Sequence, residues 1–175
     1  MACSNISAGI ALDCNESNGG IEKIYIANGP VQSISTVTGN TGIVDEIVVG
    51  GSPLTPADFY EFEVPRQTSS LTETHTVSQT NGTLFYDQAL TMVFNKMEAD
   101  KRNQLLLMAQ ATNMVVIAKD NNGTYWSIGL ERGAYMTAGS SVSGTAYGDR
   151  NGYEITISGA ELNPTYEVTS SIVVA

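Results

Sequence analysis

Basic residues are scarce in this chain. Its 175 residues include 8 lysines and arginines against 18 aspartates and glutamates, which gives a formal net charge of -10. A protein that reads a nucleic-acid sequence needs a basic surface to neutralise phosphates, and an anionic membrane likewise attracts cationic side chains. The charge balance therefore argues against both partners. It leaves room for a protein that nucleic acid slides past without sticking, because repulsion from phosphates would help there.

Nucleophilic and metal-ligating side chains are equally few. Cys3 and Cys14 are the only cysteines, and His75 is the sole histidine. Two thiols without histidine or aspartate at metal-ligand spacing do not make a zinc site, so we expect them to be inert. No P-loop or dinucleotide-binding glycine motif occurs. The sequence predicts no catalytic residue, no cofactor and no metal; a carboxylate pair that meets only in the fold stays open as the enzyme alternative.

Long apolar runs and a charged leader are absent too. No stretch approaches the ~20 apolar residues that cross a bilayer. No lysine or arginine precedes Lys23, so the charged start of a secretory signal is missing. We expect a protein that is made and folded in the cytoplasm and has no membrane partner. A disulfide is not expected in that reducing compartment.

Short strand patterns separated by turns make up most of the chain. Hydrophobic residues are 42% of the total, 17 glycines supply turns, and the balance of Tyr, Val, Ile and Thr favours strands. We predict one mostly antiparallel β-domain over 21–175, preceded by an extended N-terminal arm over 1–20. A Gly/Ser loop is expected at Ala138–Gly144. The strands expected outside the longest hairpin are Ile21–Ala27, Val31–Val37, Ile43–Val49, Phe59–Val64, Met114–Lys119, Thr124–Gly129, Arg132–Thr137, Tyr153–Ser158 and Tyr166–Val174.

A single helix is predicted at about residues 96–111. Good helix formers run from Met97 to Ala111, and Asn95 followed by Glu98 resembles a capping box. We expect the apolar side chains of its second half to cover one open side of the β-structure. Those side chains are Leu105, Leu106, Met108 and Ala109.

The longest strand pattern is also the most polar one. Thr68–Gln79 turns through Thr80-Asn81-Gly82 and returns as Thr83–Phe94, so each arm spans roughly 40 Å at ~3.3 Å per residue. Because side chains alternate along a strand, each arm has one small, hydroxyl-rich face. The residues of these faces are Thr72, Thr74, Thr76 and Ser78 on the outgoing arm and Thr83, Asp87, Ala89 and Thr91 on the return arm. An assembly that lines a wide, wet channel needs such a hairpin; the alternative is a threonine-rich hairpin at the edge of an ordinary β-sandwich.

Four segments carry a resemblance to a known family. They are GGIEKIYIA at 19–27, the polar hairpin, the helix within FNKMEADKRNQLLLMAQ at 94–110, and 114–161, with its KDNNG turn before an aromatic residue and its GDRNGY lead into a strand. In this order they resemble the tail tube proteins of tailed bacteriophages, especially phages of Bacteroides-type gut bacteria. The likeness spans most of Gly19–Val168 and rests on turn and strand patterns.

The resemblance implies a β-barrel or sandwich of the tail-tube type with one flanking helix. It implies homo-hexameric rings, assembled in the host cytoplasm, that stack into the tail tube of the virion. Residues 1–20 and Gly39–Asp58 are then arms or loops that contact neighbouring rings. Other tail proteins are further partners, and DNA passes through without sequence-specific binding. The hairpin supplies the lumen-lining residues Thr72, Thr74, Thr76, Ser78, Thr83, Asp87 and Thr91, and acids such as Glu73 and Asp87 make the wall negative.

Other functions stay open at this point. The same strands would suit a portal-proximal ring or connector, or, less well, a capsid decoration protein. A carbohydrate-binding β-module using Tyr125 and Trp126 would instead be a monomer with an exposed aromatic strip. An enzyme is the weakest alternative, because no nucleophile–base pair can be read from the sequence.

Overall fold

Two β-sheets stack face to face, and one helix covers a side of the stack. The computed structural model describes residues 8–12 and 14–174. Its strands are β1 Ile21–Asn28, β2 Val31–Thr36, β3 Ile43–Val49, β4 Ser52–Pro53, β5 Tyr60–Glu63, β6 Ser70–Ser78, β7 Thr83–Asn95, β8 Met114–Asp120, β9 Tyr125–Ile128, β10 Tyr135–Val142, β11 Gly152–Glu161 and β12 Glu167–Val168; the helix is α1 Ala99–Gln110. The predicted mainly β fold with one helix is confirmed. Of the two predicted arrangements it is the sandwich, because the sheets do not close into a barrel.

The larger sheet has eight strands in the order β2-β3-β12-β9-β8-β1-β5, with β4 beside β3. Its neighbouring strands are antiparallel except β3 and β12, which run parallel. The central strands β1 and β8 are apolar on both faces, so both faces are buried. Ile24 and Val116 lie in the core between the two sheets, whereas Tyr25 and Ile117 lie in a second core on the other side.

The smaller sheet has four strands in the order β10-β11-β7-β6, all antiparallel to their neighbours. The predicted loop at Ala138–Gly144 is wrong for its first five residues. Residues Ala138 to Val142 continue β10, because they pair with β11 from Gly152 to Thr156. Glycine and serine there are tolerated by an exposed edge strand.

The core between the sheets joins them through large apolar side chains. Leu90, Met92, Ile155 and Ile157 of the smaller sheet meet Ile24, Ile26, Val116 and Ile128 of the larger one, and all are buried. Burying a side chain of this size stabilises a fold by about 1.5–3 kcal/mol. These residues therefore fix the smaller sheet with its opposite face outward.

The helix begins later than predicted and is not capped as predicted. It starts at Ala99, and Asn95 is instead the last residue of β7. Glu98 precedes the helix without a side-chain cap and pairs with Lys96 and Lys101. The expected apolar stripe is only partly buried. Leu105 and Met108 pack on the core between the sheets, as the predicted covering role requires, but Leu106 is exposed.

Candidate functional site

The long hairpin places its hydroxyl residues on one side of the smaller sheet. The turn closes at Gly82, whose φ of 63° lies in the left-handed region that favours glycine. The outgoing strand is shorter than predicted and begins at Ser70, because the Thr68 hydroxyl bonds the Pro65 carbonyl in the preceding turn. The register then pairs Thr72 with Ala89, Thr74 with Asp87, Thr76 with Phe85, Ser78 with Thr83 and Ser70 with Thr91.

This register brings all seven predicted lumen residues together. Residues directly opposite each other in an antiparallel pair point to the same face. Thr72, Thr74, Thr76, Ser78, Thr83, Asp87 and Thr91 therefore share the face that points away from the core between the sheets. We call this surface the outer face. Its exposure to a lumen stays a prediction.

Two further strands extend the outer face with residues that the sequence analysis missed. Thr156 lies opposite Thr91, and Ser158 lies opposite Ala89. Thr137 joins them: its hydroxyl lies 3.0 Å from the Ser158 hydroxyl. The sequence of β11 does contain a pattern that predicts these outward-facing residues, because Glu154, Thr156 and Ser158 alternate with buried isoleucines.

The outer face carries acidic side chains, and none of its strand residues is a lysine or an arginine. The four strands of the smaller sheet contain no lysine or arginine. Asp87 and Glu154 lie on the outer face, and Glu154 pairs at 2.7 Å with Arg150 from the preceding loop. Small hydroxyls and unpaired acid make a surface that water wets and phosphates avoid.

The prediction that Glu73 lies on the lumen wall is wrong. It lies one position out of step with the threonines, so it points to the core side of the hairpin. Its Oε2 accepts bonds from the Thr165 amide at 2.6 Å and from the Thr165 hydroxyl, and its Oε1 contacts His75 Nε2 at 2.7 Å. Burial alone would raise the pKa of Glu73, but these bonds and one from Gln88 outweigh burial and lower it. Glu73 thus ties the hairpin to the segment before β12.

A second carboxylate beneath the same sheet has its pKa shifted in the opposite direction. Glu161 is 3% exposed; its Oε1 accepts the Arg132 amide at 3.0 Å, and its Oε2 has no partner among the described residues. Burial, with a smaller contribution from Glu131, raises the pKa of Glu161. Next to it, burial and the hydrogen bond that Tyr166 donates to Glu131 raise the pKa of Tyr166 to about 12.

We expect Glu73→Gln and Glu161→Gln to change stability in opposite directions at pH 7. Glu73 has a folded pKa below its unfolded value near 4.5; it therefore stabilises the fold above that pH and loses the effect as pH falls through the folded pKa. Removing its charge is expected to lower the free energy of unfolding by about 1–3 kcal/mol. Glu161 has a raised folded pKa, so its contribution is complete below its unfolded pKa, also near 4.5, and falls as pH rises.

The neutral Glu161→Gln is accordingly expected to melt higher than wild type at pH 7–8 and to match it in acid. Thermal unfolding between pH 3 and pH 8 measures both variants. Equal pH profiles for the two variants would contradict these assignments.

The residues of the other functional hypotheses do not form sites in the part of the chain that is described. Tyr125 is buried and Trp126, its neighbour on the opposite strand face, donates its indole N–H to Asp120 at 3.2 Å, so the two rings make no exposed strip. His75 contacts Glu73 and the Tyr86 ring. Cys14 is exposed, and Cys3 lies outside the described residues.

Within residues 8–12 and 14–174, no group of three or more His, Cys, Asp and Glu side chains could hold a metal ion. Over the same residues, no helix has the length and apolar character needed to span a membrane.

Comparisons with known proteins gave no match. No protein-family model matches the chain, and neither a curated protein nor a solved structure does.

Proposed function

We propose that this protein is a virion structural component that assembles edge to edge into rings, and that the rings stack into a tail tube through which DNA is ejected. The proposal is supported above all by the two faces and the two edges of the smaller sheet. One of its faces is fixed on the core, the strand residues of the other face include hydroxyls and acids but no lysine or arginine, and both of its edge strands lack a partner in the described structure.

The two edges suit each other. In the described structure β6 pairs only with β7, and β10 only with β11. Strand direction alternates across β10-β11-β7-β6, so β6 and β10 run in opposite directions. In copies related by rotation about an axis along the strands, β6 of one copy would meet β10 of the next as an antiparallel pair. Closure of the ring would leave this sheet without a free edge. Unpaired edge strands favour such closure because they tend to pair with another chain.

Strand geometry favours six copies over three. Six four-stranded sheets supply 24 strands, which at about 4.8 Å spacing and about 40° tilt form a wall of roughly 24 Å radius. With about 5 Å taken by inward side chains, the bore is roughly 40 Å across and passes a DNA duplex. Three copies give a wall of about 12 Å radius, whose bore is too narrow. A hexamer is therefore the ring that we propose.

The outer face would then be the lumen wall. DNA leaving a capsid must slide quickly, so its contacts with the wall should be weak and reversible. Hydroxyls such as Thr72 and Thr156 bind water, and Asp87 repels phosphate. Lysines or arginines would instead bind phosphates and release counterions, which makes contacts strong. The absence of cations from the four strands supports a conduit that does not bind DNA.

The proposal has no enzymatic step, and it places the protein in the virion tail after assembly in the host cytoplasm. A portal-proximal connector would use the same edges with a different number of copies. A decoration protein would not need a closed ring. A carbohydrate-binding module has less support, since Tyr125 and Trp126 form no exposed strip.

Negative-stain microscopy of the purified protein over a concentration series tests the assembly. We expect rings or tubes of uniform bore, about 40 Å wide, with sixfold end-on averages. Twelvefold rings that do not stack would favour the connector. A monomer that persists at high concentration would contradict the proposal, and glycan arrays would then test the binding module.

A further inference from the structure

An apolar groove runs between α1 and the edge strand β5. Two adjoining cavities form it, of about 480 Å³ and about 280 Å³, and they share Glu61, Phe62 and Gln104. Leu107 and Met108 of the helix line the larger cavity, and Leu107 is 59% exposed. The groove thus exposes apolar side chains that nothing in the described structure covers.

The wall opposite the helix is an unpaired strand edge. In the described residues β5 pairs only with β1, where Tyr60 lies opposite Ile26 and Phe62 opposite Ile24. Because those isoleucines belong to the core between the sheets, Tyr60 and Phe62 point to the helix side. A strand added beside β5 would form backbone hydrogen bonds and place every second side chain in the groove.

The N-terminal arm has the matching pattern. Ile10 and Leu12 are fully exposed and alternate with the small residues Gly9 and Ala11. The first charged side chain of the chain is Asp13, so residues 1–12 are uncharged. The margin of the groove carries Glu61, Glu63, Asp100 and Lys101, so a segment without charged side chains meets no like charge there.

The base of the arm is bonded on the other side of β1 from the groove. Asn121 Nδ2 donates to the Gly19 carbonyl at 2.6 Å, and the Asn18 amide donates to Asn122 Oδ1 at 2.7 Å. These bonds hold the base of the arm at the β8–β9 turn. Strand β8 lies on one side of β1 and β5 on the other, so Asn18 and Gly19 are held across β1 from the groove.

We infer that the arm of one copy adds a strand to β5 of a second copy, with Ile10 and Leu12 seated in the groove beneath α1. This inference rests on the proposed function, because the contact forms only when two copies of the chain assemble. It assigns a second contact between subunits, separate from the edges of the smaller sheet.

Cysteine crosslinking between two differently tagged chains tests this contact. Both chains carry Cys3→Ser and Cys14→Ser; one adds Ile10→Cys and the other Gln104→Cys. Docking holds the two thiols together at an effective concentration of about millimolar. We therefore expect a mixed disulfide at least about tenfold more abundant than with Leu106→Cys, because Leu106 lines a different cavity of the same helix. Adding Leu107→Glu to the Gln104→Cys chain should abolish the product, whereas Leu106→Glu should not.

Other outcomes separate the arm contact from the ring. Equal crosslinking at positions 104 and 106 would overturn the inference. So would a purely intrachain disulfide when one chain carries both Ile10→Cys and Gln104→Cys. Microscopy of the same samples reports on ring assembly independently. Rings without the mixed disulfide would leave the proposed function standing, while the mixed disulfide without rings would support the arm contact and contradict the ring.

Discussion

Proline at one of two adjacent positions of β10, Ser140 or Ser141, is expected to give a folded protein that no longer assembles. In an antiparallel pair every second residue directs its N–H and C=O away from the partner strand. Ser140 and Ser141 lie opposite Glu154 and Tyr153, so one of them faces the free edge. Proline there removes a donor and leaves the ladder with β11 intact. A lost hydrogen bond of about 1 kcal/mol, repeated at six interfaces, weakens a ring by about 6 kcal/mol.

The two proline variants control for each other. The variant whose N–H faces β11 should lose an internal bond and unfold at a lower temperature, whereas the edge variant should melt like wild type. Sedimentation and microscopy at matched concentrations then measure assembly. Rings formed by a normally melting edge variant would exclude the β6–β10 interface. The same outcome would leave the arm contact at β5 untouched.

Several elements could be predicted because one physical signal dominated each of them. Ile21–Asn28 and Met114–Asp120 are apolar on both faces, which is typical of central strands. The turn at Gly82 was predicted from its glycine, whereas the register across the hairpin, with Ser78 opposite Thr83, was not predicted. The period of two also placed all seven lumen candidates on one face, which depends on backbone geometry alone.

The errors lie where tertiary contacts outweigh local preference. Ala138–Val142 reads as a loop because glycine and serine favour turns, yet pairing with β11 makes it a strand. Asn95 reads as a helix cap, but β7 extends through it. Glu73 was assigned to the wall on its charge, although its position in the alternation already placed it inside. The Thr165 bonds that hold it join residues 92 positions apart, which no local pattern shows.

Lysine at two positions of the outer face is expected to slow DNA passage without preventing assembly. Thr72 and Thr76 are suitable because their partners across the hairpin are Ala89 and Phe85, so neither lysine would be neutralised by an acid directly opposite. Both side chains point away from the core, and Thr72→Lys with Thr76→Lys should therefore leave the melting temperature nearly unchanged. Twelve new cations per six-membered ring would bind phosphates, and log K for DNA should fall with log salt at a slope of about -0.9 per phosphate contact. Salt titration of DNA binding to purified tubes measures that slope, and single-particle ejection measures the rate.

The matched variant carries Thr72→Glu and Thr76→Glu. It has the same positions and similar side-chain length, so any effect of bulk on the bore is shared, while its charge repels phosphate. If cations are what the lumen excludes, the lysine variant should eject DNA more slowly and recover with salt, and the glutamate variant should eject at the wild-type rate. Equal slowing of both would assign the effect to the width of the bore. Unchanged ejection by the lysine variant would contradict the role of the cation-free face, because a wall that tolerates twelve phosphate-binding groups has no need to be free of them.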